Sequence, residues 1–111
     1  MADEFDVRIT GQAEAQLSDI VQYVAYKLQS PMTALRLLDT LEESINSLSE
    51  QPKRVPLVKD EPWHSNGIRR KLVKNFIVYF WIDDDAKTVH VTAVVYSKRD
   101  QIKQLQQMDI G

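Results

Sequence analysis

The apolar side chains change their period halfway along the chain, and that change limits the fold more than any other feature of the sequence. Ala13, Leu17, Ile20, Val21, Val24 and Leu28 recur at spacings of three and four, and so do Ala34, Leu37, Leu38, Leu41, Ile45 and Leu48. Such spacing puts each set on one stripe of an α-helix. Thr10 stands where its hydroxyl can accept from a free amide at the start of the first helix, and Ser30-Pro31 is a capped start for the second. About two residues separate the stripes, so an antiparallel helix hairpin is expected, stopped by Pro52.

Beyond Gly67 the period falls to two. Residues 68–74, 76–82 and 88–96 are rich in β-branched and aromatic side chains, with Asn75 and Asp83-Asp84-Asp85 as the turns between them. Connections this short force antiparallel pairing. Phe5, Val7 and Ile9 alternate with Asp6 and Arg8, which adds a short strand before the helices. In the last strand Val89, Val91, Ala93 and Val95 share one face, and that valine face is expected to meet the helices. His90, Thr92, Val94 and Tyr96 share the other. Between the halves, residues 52–66 hold three prolines and no usable period. They read as a loop carrying Lys53, Arg54, Trp63 and His64. After Ser97, Ile102, Leu105 and Met108 at helical spacing suggest a short C-terminal helix. The order β-α-α-β-β-β implies one α+β domain over residues 1–111, with an antiparallel sheet, the helix hairpin on one face and the other face partly open.

The chain excludes several chemistries. It has no cysteine, so it has no disulfide, Cys-bound zinc or thiol nucleophile. His64 and His90 lack metal-ligand spacing, and neither a metal nor another cofactor is expected. No apolar run approaches the roughly 20 residues of a membrane span. Residues 1–6 lack the basic and apolar regions of a secretory signal, so a cytoplasmic location is expected.

The net charge of −2 hides a division along the chain. Residues 1–51 carry nine acidic and three basic side chains, a net of −6, whereas residues 52–75 carry two and seven, a net of +5. Residues 76–111 carry five and four. A basic patch on an acidic protein suits a phosphate-bearing or acidic partner. Lysines that keep a strand edge soluble would give the same count. On the basic strand, read as a central one, Arg69 and Lys71 lie on the side of Val73, and Arg70 lies with Ile68 and Leu72. The sequence leaves open which side faces outward. Trp81 shares a face with Ile77 and Tyr79, a row that fits a surface covered by another protein.

Three groups of residues carry a resemblance. They are Gly67-Ile68-Arg69, then Val73-Lys74-Asn75-Phe76-Ile77-Val78-Tyr79, then Val95-Tyr96-Ser97-Lys98-Arg99-Asp100. With Ile9-Thr10, Ala13, Leu17 and Ile20 ahead of them, and the helix end from Leu48 to Pro52, the chain resembles the RelE/ParE superfamily of toxins over about residues 5–103. The resemblance implies a type II toxin neutralised by a cognate antitoxin, in a toxin–antitoxin hetero-oligomer, with an extended or helical antitoxin segment wrapping sheet and helices. It implies one of two activities: RelE-like endoribonuclease cleavage of mRNA on the ribosome, or ParE-like poisoning of DNA gyrase. A family member that only binds partners is a further alternative.

For the ribonuclease, Arg69 and Arg99 suit stabilisation of a phosphate, because a guanidinium reaches two oxygens at once. Lys71 or Lys98 serves as base only if neighbouring cations lower its pKa. Tyr96 would stack on a base or orient a proton. The catalytic set is then Arg69, Lys71, Tyr96 and Arg99, with Lys53, Arg54, Arg70, Lys74 and Lys98 holding RNA. Plainer roles fit the same residues: the arginines pair with surface carboxylates, and Tyr96 packs at a strand end. Phe76 departs from the family pattern, in which an arginine commonly stands before the third strand's aromatic stretch.

Overall fold

The computed structural model of the chain describes residues 4–97. Strand β1 is Asp6–Ile9, helix α1 is Gly11–Leu28 and helix α2 is Pro31–Asn46. Two 3-10 turns, Ser47–Ser49 and Pro52–Arg54, lead into the loop, and β2 (Arg69–Val73), β3 (Phe76–Asp83) and β4 (Thr88–Tyr96) follow. Both helix starts are built as their sequences require. The Thr10 hydroxyl accepts from the Ala13 amide at 3.2 Å, and the Ser30 hydroxyl accepts from the Thr33 amide at 3.3 Å. Gln29 ends α1 in the left-handed region at φ 49° and turns the chain into α2. The segment read as a C-terminal helix lies outside the described residues.

The sheet has the order β1-β4-β3-β2. The hairpins β2–β3 and β3–β4 are antiparallel, but β1 pairs with β4 in parallel, so the sheet is mixed rather than antiparallel throughout. No short turn joins β1 to β4, and nothing local dictates their relative direction. The basic strand β2 is an edge strand, not a central one. β3 and β4 occupy the centre, as their nearly continuous buried apolar residues require.

A β-bulge in β4 reverses part of the expected facing. Phe80 pairs with Val91 and Tyr79 with Ala93, so the register steps over Thr92 between them. Val89 and Val91 meet the helices as expected. Past the bulge the alternation slips by one residue, so Val94 and Tyr96 join the helix side while Ala93 and Val95 turn to the other face. Three side chains satisfy the interrupted ladder. Gln16 Oε1 of α1 accepts from the Val94 amide at 2.8 Å, the Thr10 hydroxyl donates to the Thr92 carbonyl at 3.4 Å, and the Thr92 hydroxyl donates to the Tyr79 carbonyl at 3.3 Å.

Two apolar clusters result, one on each face. On the helix side Ala13, Leu17, Leu41, Ile45 and Leu48 pack against Val73, Phe76, Val78, Phe80 and Val94. On the other face Val58 and Trp63, both from the proline loop, cover Ile68, Ile77, Tyr79, Ala93 and Val95. The face read as partly open is therefore roofed by the loop over much of its length. Trp81 is half-buried there and stacks on His90 with ring centroids 4.5 Å apart. Tyr79 is enclosed in this second cluster; burial raises its phenol pKa, and a hydrogen bond from Arg70 opposes that shift.

Replacing Gln16 with leucine strands the Val94 amide in the interior. The loss expected in urea unfolding is about 1–3 kcal/mol, the usual cost of an unsatisfied buried donor. The Tyr79 phenol carries a distinct pH signature. A raised phenol pKa means that the folded state favours the neutral group, so this contribution is complete below about pH 10 and is lost as pH climbs through the folded value. Urea midpoints measured from about pH 9 to about pH 11 should fall less steeply in a Tyr79→Phe protein than in the parent.

Candidate functional site

The basic segment divides between the two faces of the sheet. Arg69 points to the helix side, where its guanidinium donates to the Lys53 carbonyl at 3.1 Å and to the Val55 carbonyl at 2.6 Å. Lys71, on the same side, donates from Nζ to the Ser47 hydroxyl at 2.9 Å and to the Ser44 carbonyl at 3.3 Å. Those acceptors are the last turn and cap of α2, where carbonyls lack helical partners and the helix dipole favours a cation. The Lys71 pKa is lowered, and the cause is burial rather than neighbouring cations. Arg69 and Lys71 thus tie the loop and the end of α2 to the sheet edge.

The other candidates are dispersed. Arg70 reaches the Tyr79 phenol on the outer face. Lys53 forms an exposed ion pair with Asp84 at 2.7 Å, which holds the Asp84 carboxyl below its usual pKa. Arg54 is exposed on the same 3-10 turn as Lys53. Lys98 and Arg99 lie outside the described residues. His64 donates from Nδ1 to the Val58 carbonyl at 2.9 Å and so braces the loop. Among the described residues no group of three His, Asp or Glu side chains is placed to hold a metal ion.

Among the described residues, only Lys74 and Tyr96 of the sequence candidates meet around a common space. It is a cleft of 1080 Å³ between the second half of α1 and the ends of β3 and β4. Ile20, Val24, Leu37, Phe76 and Val94 form apolar walls, and Asp19, Lys27, Lys74 and Asn75 contribute polar groups. Lys74 occupies the β2–β3 turn at φ 56° and is exposed. Tyr96 packs its ring on Phe76, with centroids 5.6 Å apart and planes tilted by 55°. Phe76 itself is 9% exposed and belongs to the helix-side core. An arginine there would have to bury its charge or displace the packing around Tyr96.

Beside the cleft the helix hairpin exposes a group of large apolar side chains. Tyr26 is 83% exposed, Tyr23 64%, Met32 62%, Leu28 58% and Leu35 51%. Leu28 had been placed on the buried stripe of α1 and is corrected here: the last turn of α1 runs clear of the core. The sequence carries a signal for the rest. Tyr23, Tyr26, Met32 and Leu35 are apolar residues off the two stripes, a pattern with no role in the core of this domain.

Comparison with known proteins places this geometry. The family model described as "ParE toxin of type II toxin-antitoxin system, parDE" matches residues 7–101. No curated protein matches the chain. A solved structure of the chromosomal ParDE toxin–antitoxin system from P. aeruginosa aligns with a TM-score of 0.72 at 18% identity, over 87% of this chain and 100% of that one. The toxin–antitoxin complex RelBE2 from Mycobacterium tuberculosis aligns with a TM-score of 0.59 at 21% identity, over 84% of this chain and 98% of that one. At those identities the two structures speak for the fold alone. The family match spans most of the sequence, and with the α+β architecture and its roofed sheet it leads to one assignment: the chain belongs to the ParE toxin family of type II toxin–antitoxin systems, within the RelE/ParE superfamily.

Proposed function

We propose that this chain is a toxin restrained by a cognate antitoxin, and that it acts by binding a protein target, DNA gyrase in the ParE-like reading, rather than by cleaving mRNA. The observation that carries the choice is the fate of the basic strand. Arg69 and Lys71, two of the four residues a ribonuclease would need, are anchored to carbonyls and a hydroxyl of the loop and α2. Phe76 stands in the core where the ribonuclease pattern has a cation. Metal-free RNA cleavage needs a base, an acid and phosphate-binding donors focused on one phosphodiester. Arg69 and Lys71 are directed away from the cleft where Lys74 and Tyr96 meet, which favours the binding reading.

The surface offered for binding is the cleft together with Tyr23, Tyr26, Met32 and Leu35 on the hairpin. Apolar exposure of this extent on one side of a small domain fits an amphipathic partner helix with acidic residues able to meet Lys27 and Lys74. The antitoxin is the partner assigned to it here. Solved relatives named as a ParDE system and as a RelBE2 toxin–antitoxin complex support that reading by analogy.

Controlled expression in growing cells separates the activities. DNA breaks trapped with gyrase, with mRNA ends unchanged, are the expected outcome, and co-expression of the antitoxin should abolish them. Codon-phased cuts in translated mRNA that disappear in an Arg99→Ala protein would overturn the binding reading in favour of the ribonuclease. A Tyr26→Asp, Met32→Asp double variant should keep its fold, since both side chains are exposed, yet should lose about tenfold or more in antitoxin affinity.

A further inference from the structure

The sheet has two outer edges. Residues 56–58 of the proline loop lie along the start of the β2 edge, with Leu57 opposite Arg69. The other edge, β1, is open over its second half. The Asp6 amide donates to the Lys87 carbonyl at 2.9 Å and the Thr10 amide to the Val91 carbonyl at 3.0 Å, so the even-numbered residues of β1 direct their backbone groups to β4. Phe5 points the other way and gives its amide to the Ser49 carbonyl at 2.9 Å, beside the bridge between Glu4 and Glu50. Val7 and Ile9 share that outward direction, and their amides and carbonyls have no partner among the described residues.

A groove of 590 Å³ lies beside this open run on the helix side. Val7, Leu17, Val21 and Leu38 form its apolar walls, and Ile9, 36% exposed, completes them at the strand. Glu14 of α1 and Glu42 of α2 belong to the same lining and are exposed. Among the described residues neither has an ion-pair partner, and no lysine, arginine or histidine lines the groove. Apolar walls that end in unpaired carboxylates suit a lysine or an arginine: its aliphatic stem lies along the walls while its charge reaches the glutamates.

We propose that the β1 edge and its groove bind an extended, basic segment of the target protein as an added strand, with lysine or arginine at alternate positions entering the groove. The inference rests on the target-binding reading above and adds the place and mode of that contact. Charge selects the occupant: residues 1–51 carry nine acidic and three basic side chains, so a basic segment is drawn to this side of the molecule and an acidic one is repelled. A second copy of the chain fits poorly. Antiparallel pairing of two β1 strands centred on Val7 drives each into the Ser49 and Glu50 that flank the other, and pairing centred on Arg8 sets two arginines directly opposite each other. The antitoxin has its own surface, because the groove shares no lining residue with the cleft. Backbone pairing along Val7 and Ile9 supplies attraction to the guest strand, and the groove reads every second side chain of it.

The test uses the full chain, free and bound to intact DNA gyrase as the target probe. Amide hydrogen exchange should slow at Val7 and Ile9 by about tenfold or more in the complex. A Glu14→Gln, Glu42→Gln double variant changes only charge at two exposed positions, so it should keep its fold and its antitoxin affinity. Its gyrase affinity should fall by about tenfold or more, with a shallower dependence on salt. If gyrase binds but exchange at Val7 and Ile9 is unchanged, or the double variant binds as the parent does, the proposal is overturned and the target reading stands. The exchange result on the parent chain decides the matter even where the variant fails to fold. Protection at Val7 and Ile9 that appears in the free chain as its concentration rises assigns the edge to a second copy, and protection that appears with the antitoxin alone assigns it there; either overturns the proposal. No gyrase complex at all overturns both readings.

Discussion

One hydrogen bond across the helix–sheet boundary, from the Val94 amide to the Gln16 side chain, sets the arrangement of everything downstream of it. A β-bulge costs a strand one ladder bond, and in a central strand that cost falls in the interior. Gln16 supplies from α1 an acceptor for the Val94 amide, which faces the side of β4 where β1 has ended, and Thr10 holds the neighbouring Thr92 carbonyl from the start of the same helix. With those groups satisfied, β4 can reverse its facing midway. Val94 and Tyr96 then turn toward α1 and build the cleft, while Ala93 and Val95 turn toward Trp63 and Ile77 and build the second cluster. Without the bulge, Tyr96 would lie on the opposite face from Phe76, and the cleft would have neither its aromatic wall nor its mouth.

Much of this architecture was legible in the sequence because it depends on local chemistry. The caps at Thr10 and Ser30, the two helical stripes, the prolines of the loop and the β2–β3–β4 meander are each encoded within a few residues of where they act. Features that depend on distant partners were not legible. The parallel pairing of β1 with β4 joins residues about 80 positions apart, and the bulge needs a glutamine 78 positions away to make Thr92 more than one residue of a strand. The placement of β2 at an edge follows only once β1 has joined β4. A signal was present all the same: β3 and β4 are apolar on both faces, whereas β2 begins with three successive charges, Arg69, Arg70 and Lys71, which a buried central strand could not carry.

The site was read less completely than the fold, and the reason lies in what cations do at helix ends. Arg69, Arg70, Lys71 and Lys74 form a dense cluster along the chain, yet adjacent residues on a strand point to opposite faces. The fold scatters them: Arg69 to loop carbonyls, Lys71 to the end of α2, Arg70 to a buried phenol and Lys74 to a turn. Proximity in sequence therefore said little about proximity in space. The apolar residues off the helical stripes carried the better functional signal, because nothing inside the domain explains Tyr23, Tyr26, Met32 and Leu35 together.

Residues 56–58 of the proline loop also close part of the β2 edge, with Leu57 opposite Arg69 in an isolated antiparallel bridge. An uncovered β-edge is a template on which copies of a protein can stack into aggregates, and the ladder must run for several residues before such stacking holds. By covering Ile68 to Arg70 and then ending in a proline, the loop shortens the template on the β2 edge, among the described residues, to the backbone around a single leucine flanked by exposed cations. Repulsion between those cations opposes the approach of an identical edge. The proline loop thus leaves the β2 edge too short to support long stacking of like edges.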